Sequence, residues 1–128
     1  MSTRGRVEAD LLAQKAASRG THPIVIWHSG KLRAKQTAEA YWRRCNPLST
    51  FTAVRGLQPG DPTTWIVDAI AAESVDVMVV GHFPHMPRLL GHLLSGTVEA
   101  PPADFPKNGI VALEELEGRW VEMWRIAP

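Results

Sequence analysis

Two short segments carry the residues with chemistry to offer. Trp27-His28-Ser29-Gly30-Lys31-Leu32-Arg33 leaves an apolar run and enters a helical pattern, and Val79-Val80-Gly81-His82 does the same further along. Arg33 can hold two phosphate oxygens in a planar fork, which a lysine cannot reproduce. His82 can donate a hydrogen bond to a phosphoryl oxygen, or act near neutral pH as acid, base or nucleophile. Ser29 and Lys31 add donors, and Gly81 permits a tight turn that exposes the side chain after it. Phosphoryl transfer depends mainly on positioning and charge stabilisation, so the chemistry suggested is phosphate handling. The plainer reading of Arg33 is a solvated or ion-paired helix arginine.

The remaining candidates point elsewhere or nowhere. His82, His85 and His92 admit a metal site on paper, but no carboxylate accompanies them in helical register, and no metal or cofactor is expected. His22 and His28 read as surface residues with no role as a base. Trp42, Trp65, Trp120 and Trp124 read as core or edge packing, because the basic clustering of a nucleic-acid platform is absent.

Elements must bring the two segments together. Arg6 to Arg19 reads as a helix with Val7, Leu11, Leu12 and Ala16 on its apolar face, Ser2 or Thr3 as cap and Gly20 as stop. Pro23 to Trp27 reads as a buried parallel strand, and Leu32 to Arg44 as a helix that Pro47 ends. Phe51 to Val54 is a short edge strand, and Gly56 to Pro62 a turn-rich loop. Thr63 to Ala72 is a helix capped near Asp61 or Thr63. Val75 to Val80 is the strongest strand, Pro87 to Leu94 a helix, and Gly96 to Lys107 a proline-bearing loop. Ile110 to Leu116 and Trp120 to Ile126 form a hairpin around Glu117-Gly118. Helices alternating with buried strands predict an α/β fold of three layers: a mostly parallel sheet flanked by helices, with a C-terminal antiparallel hairpin. Ligands of such sheets bind outside the carboxyl ends of the strands, where both segments emerge.

Bulk properties set outer limits. The 128 residues, 45% hydrophobic and 21% charged, read as one domain over 1–128. A net charge of +1 gives no electrostatic case for nucleic acid or an anionic membrane as the main partner. Cys45 alone allows no internal disulfide, and no segment reads as a signal peptide or membrane span; a cytoplasmic location is expected.

The order of motifs resembles the histidine phosphatase (phosphoglycerate mutase-like) superfamily, nearest its small SixA-type phosphohistidine phosphatases. Ser29 to Glu39 resembles their S-x-x-L-R-A-x-Q-T-A-E segment and Val80 to Pro84 their V-G-H-x-P segment. Gly56 to Asp61 fits the loop between them, and Phe105 to Ile110 with Trp120 to Pro128 resembles their C-terminal hairpin. The resemblance implies that Arg33 clamps a phosphoryl group and His82 hydrogen-bonds it, with Ser29 and Asn108 lining the pocket. It implies a phosphohistidine-bearing protein, or phosphate, as partner. The alternatives are a phosphate-binding pseudophosphatase and a small-molecule phosphatase of the same superfamily. The short stretch between the motifs disfavours the last, since it leaves an open pocket.

One departure is large. Relatives open with a strand ending in Arg-His-Gly, whose histidine attacks phosphorus, and this sequence contains no such tripeptide. Met1 to Gly5 resembles instead the L-T/S-x-x-G segment that starts the family's first helix, so the fold is expected to lack its first strand and the chain alone to turn over little. A start codon placed inside a longer reading frame would produce this pattern. The remaining strands would then have to close the gap, or a partner, a homo-oligomer included, would have to supply a strand.

Overall fold

The computed structural model describes all 128 residues. Helix α1 (Thr3–Ser18) starts earlier than its apolar pattern suggests, because the Ser2 side chain accepts from the Gly5 N–H at 3.0 Å and caps it. Gly20, at φ 85, ends it in the left-handed region glycine tolerates. The buried face of α1 is Ala9, Leu12, Ala13 and Ala16. Val7 and Leu11, expected on that face, are 53% and 50% exposed. Small residues at helical spacing let α1 approach α2 (Leu32–Cys45) closely, and Ala40, Tyr41 and Cys45 meet them.

Three short strands, β1 (Val25–His28), β2 (Thr50–Ala53) and β3 (Val77–Val80), pair in parallel in the order β2-β1-β3. Side chains alternate across this sheet. Met78 packs toward the α1–α2 cluster, while Val77 and Val79 pack toward Trp27, Leu57, Ile66 and Leu89. The latter cluster lies under α3 (Thr63–Ala72) and α4 (His85–Ser95), which makes the three layers. Neither expected residue caps α3. Asp61 instead accepts from the Gln58 N–H at 2.9 Å, and the Thr63 hydroxyl pairs with His92 Nδ1 at 2.9 Å. Helix α4 begins two residues before Pro87, whose missing N–H falls in the first turn, where donors have no partner within the helix. The strands β4 (Ile110–Leu116) and β5 (Arg119–Ile126) form the C-terminal antiparallel hairpin, with an irregularity between Ala112 and Leu113.

The two sheets stay separate. β3 pairs with β1 alone and β4 with β5 alone, so the strands of this chain do not close the sheet. All four apolar residues of β3 are consequently only half-buried, where a parallel strand covered by helices is normally buried on both faces.

Candidate functional site

Because His28 and Val80 are register partners at the ends of β1 and β3, the next residues of both strands emerge side by side. Ser29 Oγ lies 2.6 Å from His82 Nε2. The Lys31 backbone N–H donates to the same hydroxyl at 3.3 Å. Between them Gly30, at φ 88, turns the chain from strand into helix. Its N–H donates to His28 Nδ1 at 3.0 Å, which fixes the proton of the neutral His28 ring on Nε2. His28 is not a surface residue: it is 4% exposed and lies 4.8 Å, centroid to centroid, from the Phe51 ring. Burial, and secondarily Lys35, hold its pKa below the usual histidine value.

Arg33 and Lys31 stand exposed at the start of α2, in no ion pair, with no acidic residue in that helix's first turn. Cations there oppose the helix dipole, an arrangement that an anion between them and the helix would relieve. Burial first, then Lys31 and Arg33, push the His82 pKa below its ordinary value. His82 is therefore mainly neutral at pH 7, able to donate or accept one hydrogen bond at each ring nitrogen according to tautomer.

Arg33, Gly81, His82 and Asn108 line one trough of about 1400 Å3. Asn108 does so from the turn before β4, at φ 57. Ser29 and Lys31 are not on its wall; Ser29 reaches it through His82. A side chain at Gly81 would meet Met86 Sδ at 3.0 Å, so this glycine also serves close packing on α4. The trough's other histidine, His22, precedes β1 at the opposite end of the strands and bonds the Cys45 carbonyl at 3.1 Å.

The residues that brace this corner carry no chemical signature in the sequence. Gln58 Nε2 donates to the Ser29 carbonyl at 2.7 Å. Arg88 donates to the carbonyls of Asp61, at 3.1 Å, and Pro59, at 3.4 Å, tying the 58–61 loop to α4. The only available signal for Gln58 was its place in the loop between the two motifs. His85 is fully buried with neither ring nitrogen hydrogen-bonded, and burial with Arg88 lowers its pKa. His82, His85 and His92 thus face different surroundings, and no group of three or more His, Cys, Asp or Glu is placed to hold a metal ion. No helix is long and apolar enough to cross a membrane.

No family model and no curated protein matches this sequence. Solved structures do. A protein assigned as the phosphohistidine phosphatase SixA of Agrobacterium tumefaciens is 25% identical, with a TM-score of 0.79 over 100% of this chain and 82% of that one. The protein histidine phosphatase SixA complexed with tungstate is 24% identical, with a TM-score of 0.84 over 99% of this chain and 83% of that one. A phosphoglycerate mutase from Plasmodium falciparum is 24% identical, with a TM-score of 0.60 over 73% of this chain and 64% of that one. With SixA phosphohistidine phosphatases and a phosphoglycerate mutase as its structural neighbours, the chain has the α/β fold of the histidine phosphatase superfamily.

Proposed function

We propose that the corner formed by Arg33 and His82 binds a phosphoryl group, and that the activity it serves is hydrolysis of phosphohistidine on a protein. The observation that carries this is the convergence of an unpaired guanidinium and a neutral, Ser29-held imidazole at the carboxyl edge of the parallel sheet. A neighbouring structure of SixA holds tungstate, a tetrahedral oxyanion of the same charge class as phosphate. Arg33 supplies a bidentate clamp and charge, and His82 a hydrogen bond to an equatorial oxygen that strengthens as charge spreads over the phosphoryl group. Asn108 is an added donor, and Lys31 adds positive potential at the rim. The single cysteine, buried Cys45, suits a reducing compartment such as the cytoplasm.

Turnover by these 128 residues alone is proposed to be weak, since His85, the imidazole that interacts with His82, is fully buried and off the trough wall, and His22 lies at the opposite end of the strands. That favours, as a second reading, a module that binds phosphate or a phosphoprotein without hydrolysing it. Calorimetry with tungstate and with phosphate, beside a hydrolysis assay on a phosphohistidine peptide, tests both readings. Saturable oxyanion binding lost in Arg33→Ala is expected. Absence of binding would overturn the phosphate reading, and robust hydrolysis lost in His82→Ala would overturn the prediction of weak turnover.

A further inference from the structure

Two aromatic rings beside the site belong to neither core cluster. Phe83 follows His82 in the turn before α4, and Phe105 lies three residues before Asn108. Their ring centroids are 5.8 Å apart and their planes stand at 83°, the edge-to-face geometry that aromatic quadrupoles favour. Both rings line the trough together with Arg33, His82 and Asn108. Phe83 packs neither in the α1–α2 cluster nor in the cluster under α3 and α4, and it is 46% exposed. Its contact with Phe105 therefore holds the ring at the wall without placing it in the core. A bare oxyanion gives such a ring nothing to touch, whereas the group that carries the phosphorus can.

We propose, resting on the phosphoryl reading of Arg33 and His82, that Phe83 is a specificity residue: its ring packs on the imidazole that bears the phosphorus of phosphohistidine. In phosphohistidine an aromatic ring is joined directly to phosphorus. It starts one bond beyond the group that His82 holds, and Phe83 adjoins His82 in the chain. Phosphoserine presents a flexible aliphatic carbon at that place, which gains nothing specific from an aromatic face. Phosphotyrosine presents a ring one bond further out, beyond a bridging oxygen. The imidazole also differs in charge. It becomes cationic when it takes the proton it needs to leave, and the face of a phenylalanine attracts a cation within about 6 Å of its centroid. Contact with Phe83 thus strengthens as the ring is protonated, so the same side chain selects the imidazole and favours its release. Phe105 orients Phe83 through their edge-to-face contact.

Calorimetry on the whole 128-residue chain compares tungstate with three peptides of one sequence. One peptide carries a phosphonotriazole side chain, a five-membered aromatic ring that mimics phosphohistidine and does not hydrolyse. The others carry phosphoserine and phosphotyrosine. Phe83→Ala should weaken the triazole peptide by about two- to twelvefold and leave tungstate and the phosphoserine peptide bound as in the parent. Phe83→Tyr keeps an aromatic face and should keep the parent affinity. Phe83→Leu, which retains bulk without a π-face, is read in the same way as Phe83→Ala should the alanine variant not fold. Undiminished triazole affinity overturns the ring contact. Equal weakening of tungstate overturns it too, because Phe83 would then act only by bracing His82. Equal weakening of the phosphotyrosine peptide overturns the imidazole as the occupant. In each of these cases tungstate bound by the parent leaves the phosphoryl reading standing, whereas a parent that binds neither tungstate nor any peptide overturns both.

Discussion

Ser29 Oγ sits 2.6 Å from His82 Nε2, so the first residue after β1 holds the second residue after β3. A hydroxyl has one proton and two lone pairs, and the Lys31 N–H occupies one lone pair. Ser29 can therefore donate to a neutral His82 or accept from a protonated one without moving. Gln58, which donates to the Ser29 carbonyl, fixes the backbone from which this hydroxyl projects. The orientation of His82 is thus set by the parallel pairing of two strands and a loop, before any ligand arrives.

Removing the hydroxyl should therefore loosen the imidazole while sparing the fold. A neutral hydrogen bond is worth about 0.5–1.5 kcal/mol net. Ser29→Ala is expected to weaken tungstate and phosphate binding by about two- to twelvefold in calorimetry, with a thermal midpoint close to that of the parent. Unchanged affinity would show that Ser29 does not orient His82 for the anion.

Arg33 offers a sharper contrast, because its geometry and its charge can be separated. Charge-assisted hydrogen bonds contribute about 1.5–3 kcal/mol, so Arg33→Ala should weaken oxyanion binding by about ten- to 150-fold. Arg33→Lys keeps the charge and loses the planar fork, so it should recover only part of that. Arg33 also contributes to the lowered His82 pKa, after burial and Lys31. An NMR titration of the imidazole should accordingly show the His82 pKa rising in Arg33→Ala and staying near the parent value in Arg33→Lys.

Gly30 tests the turn rather than the ligands. At φ 88 it occupies backbone space costly for a residue with a side chain, although a Cβ there would meet only Ala53 Cβ, at an ordinary 3.8 Å. Gly30→Ala should cost about 1–2 kcal/mol through strain alone, read as a lower urea midpoint. Its strain falls between Ser29 and Lys31, so oxyanion affinity should drop as well. A full-strength site in Gly30→Ala would mean that the turn tolerates relaxation.

The sequence revealed most where chemistry and periodicity coincided. The β-branched runs before His28 and His82 made two strands evident, and their shared exit edge follows from the way α/β sheets are wound. What stayed hidden depends on contacts distant along the chain. His28 looks like a polar residue at a strand end, yet Gly30 and Phe51 enclose it. Leu11 and Val7 satisfy an apolar period, yet α1 turns its alanine face inward because α2 approaches closely there. Gln58 and Arg88 bond backbone carbonyls, and no side-chain spacing announces such bonds. Strand patterns specify faces but not neighbours, so the open edge of β3 was foreshadowed only by the resemblance, with its absent first strand, and not by periodicity.

Acid should weaken the fold in a definite window. His28, His82 and His85 all have folded pKa values below the ordinary 6.5, and burial is the largest cause for each. An unfolded chain then binds more protons than the folded one as pH drops through 6.5, so stability rises with pH across that range. The contribution is fully present above 6.5 and is lost as pH falls toward the depressed folded values. Asp10 and Glu122, held below 3.8 and 4.5 chiefly by hydrogen bonds from Arg44 and Arg125, act only at more acid pH. The urea midpoint should therefore fall between about pH 7 and pH 5. His85 separates burial from function, since its ring is enclosed and both nitrogens lack partners. His85→Leu replaces an unpaired polar ring with an apolar side chain, so it should stabilise the chain by about 1 kcal/mol at neutral pH and reduce the acid loss. A lower midpoint at pH 7 in His85→Leu would instead mean that the ring is held by a buried water, and that its nitrogens are satisfied after all.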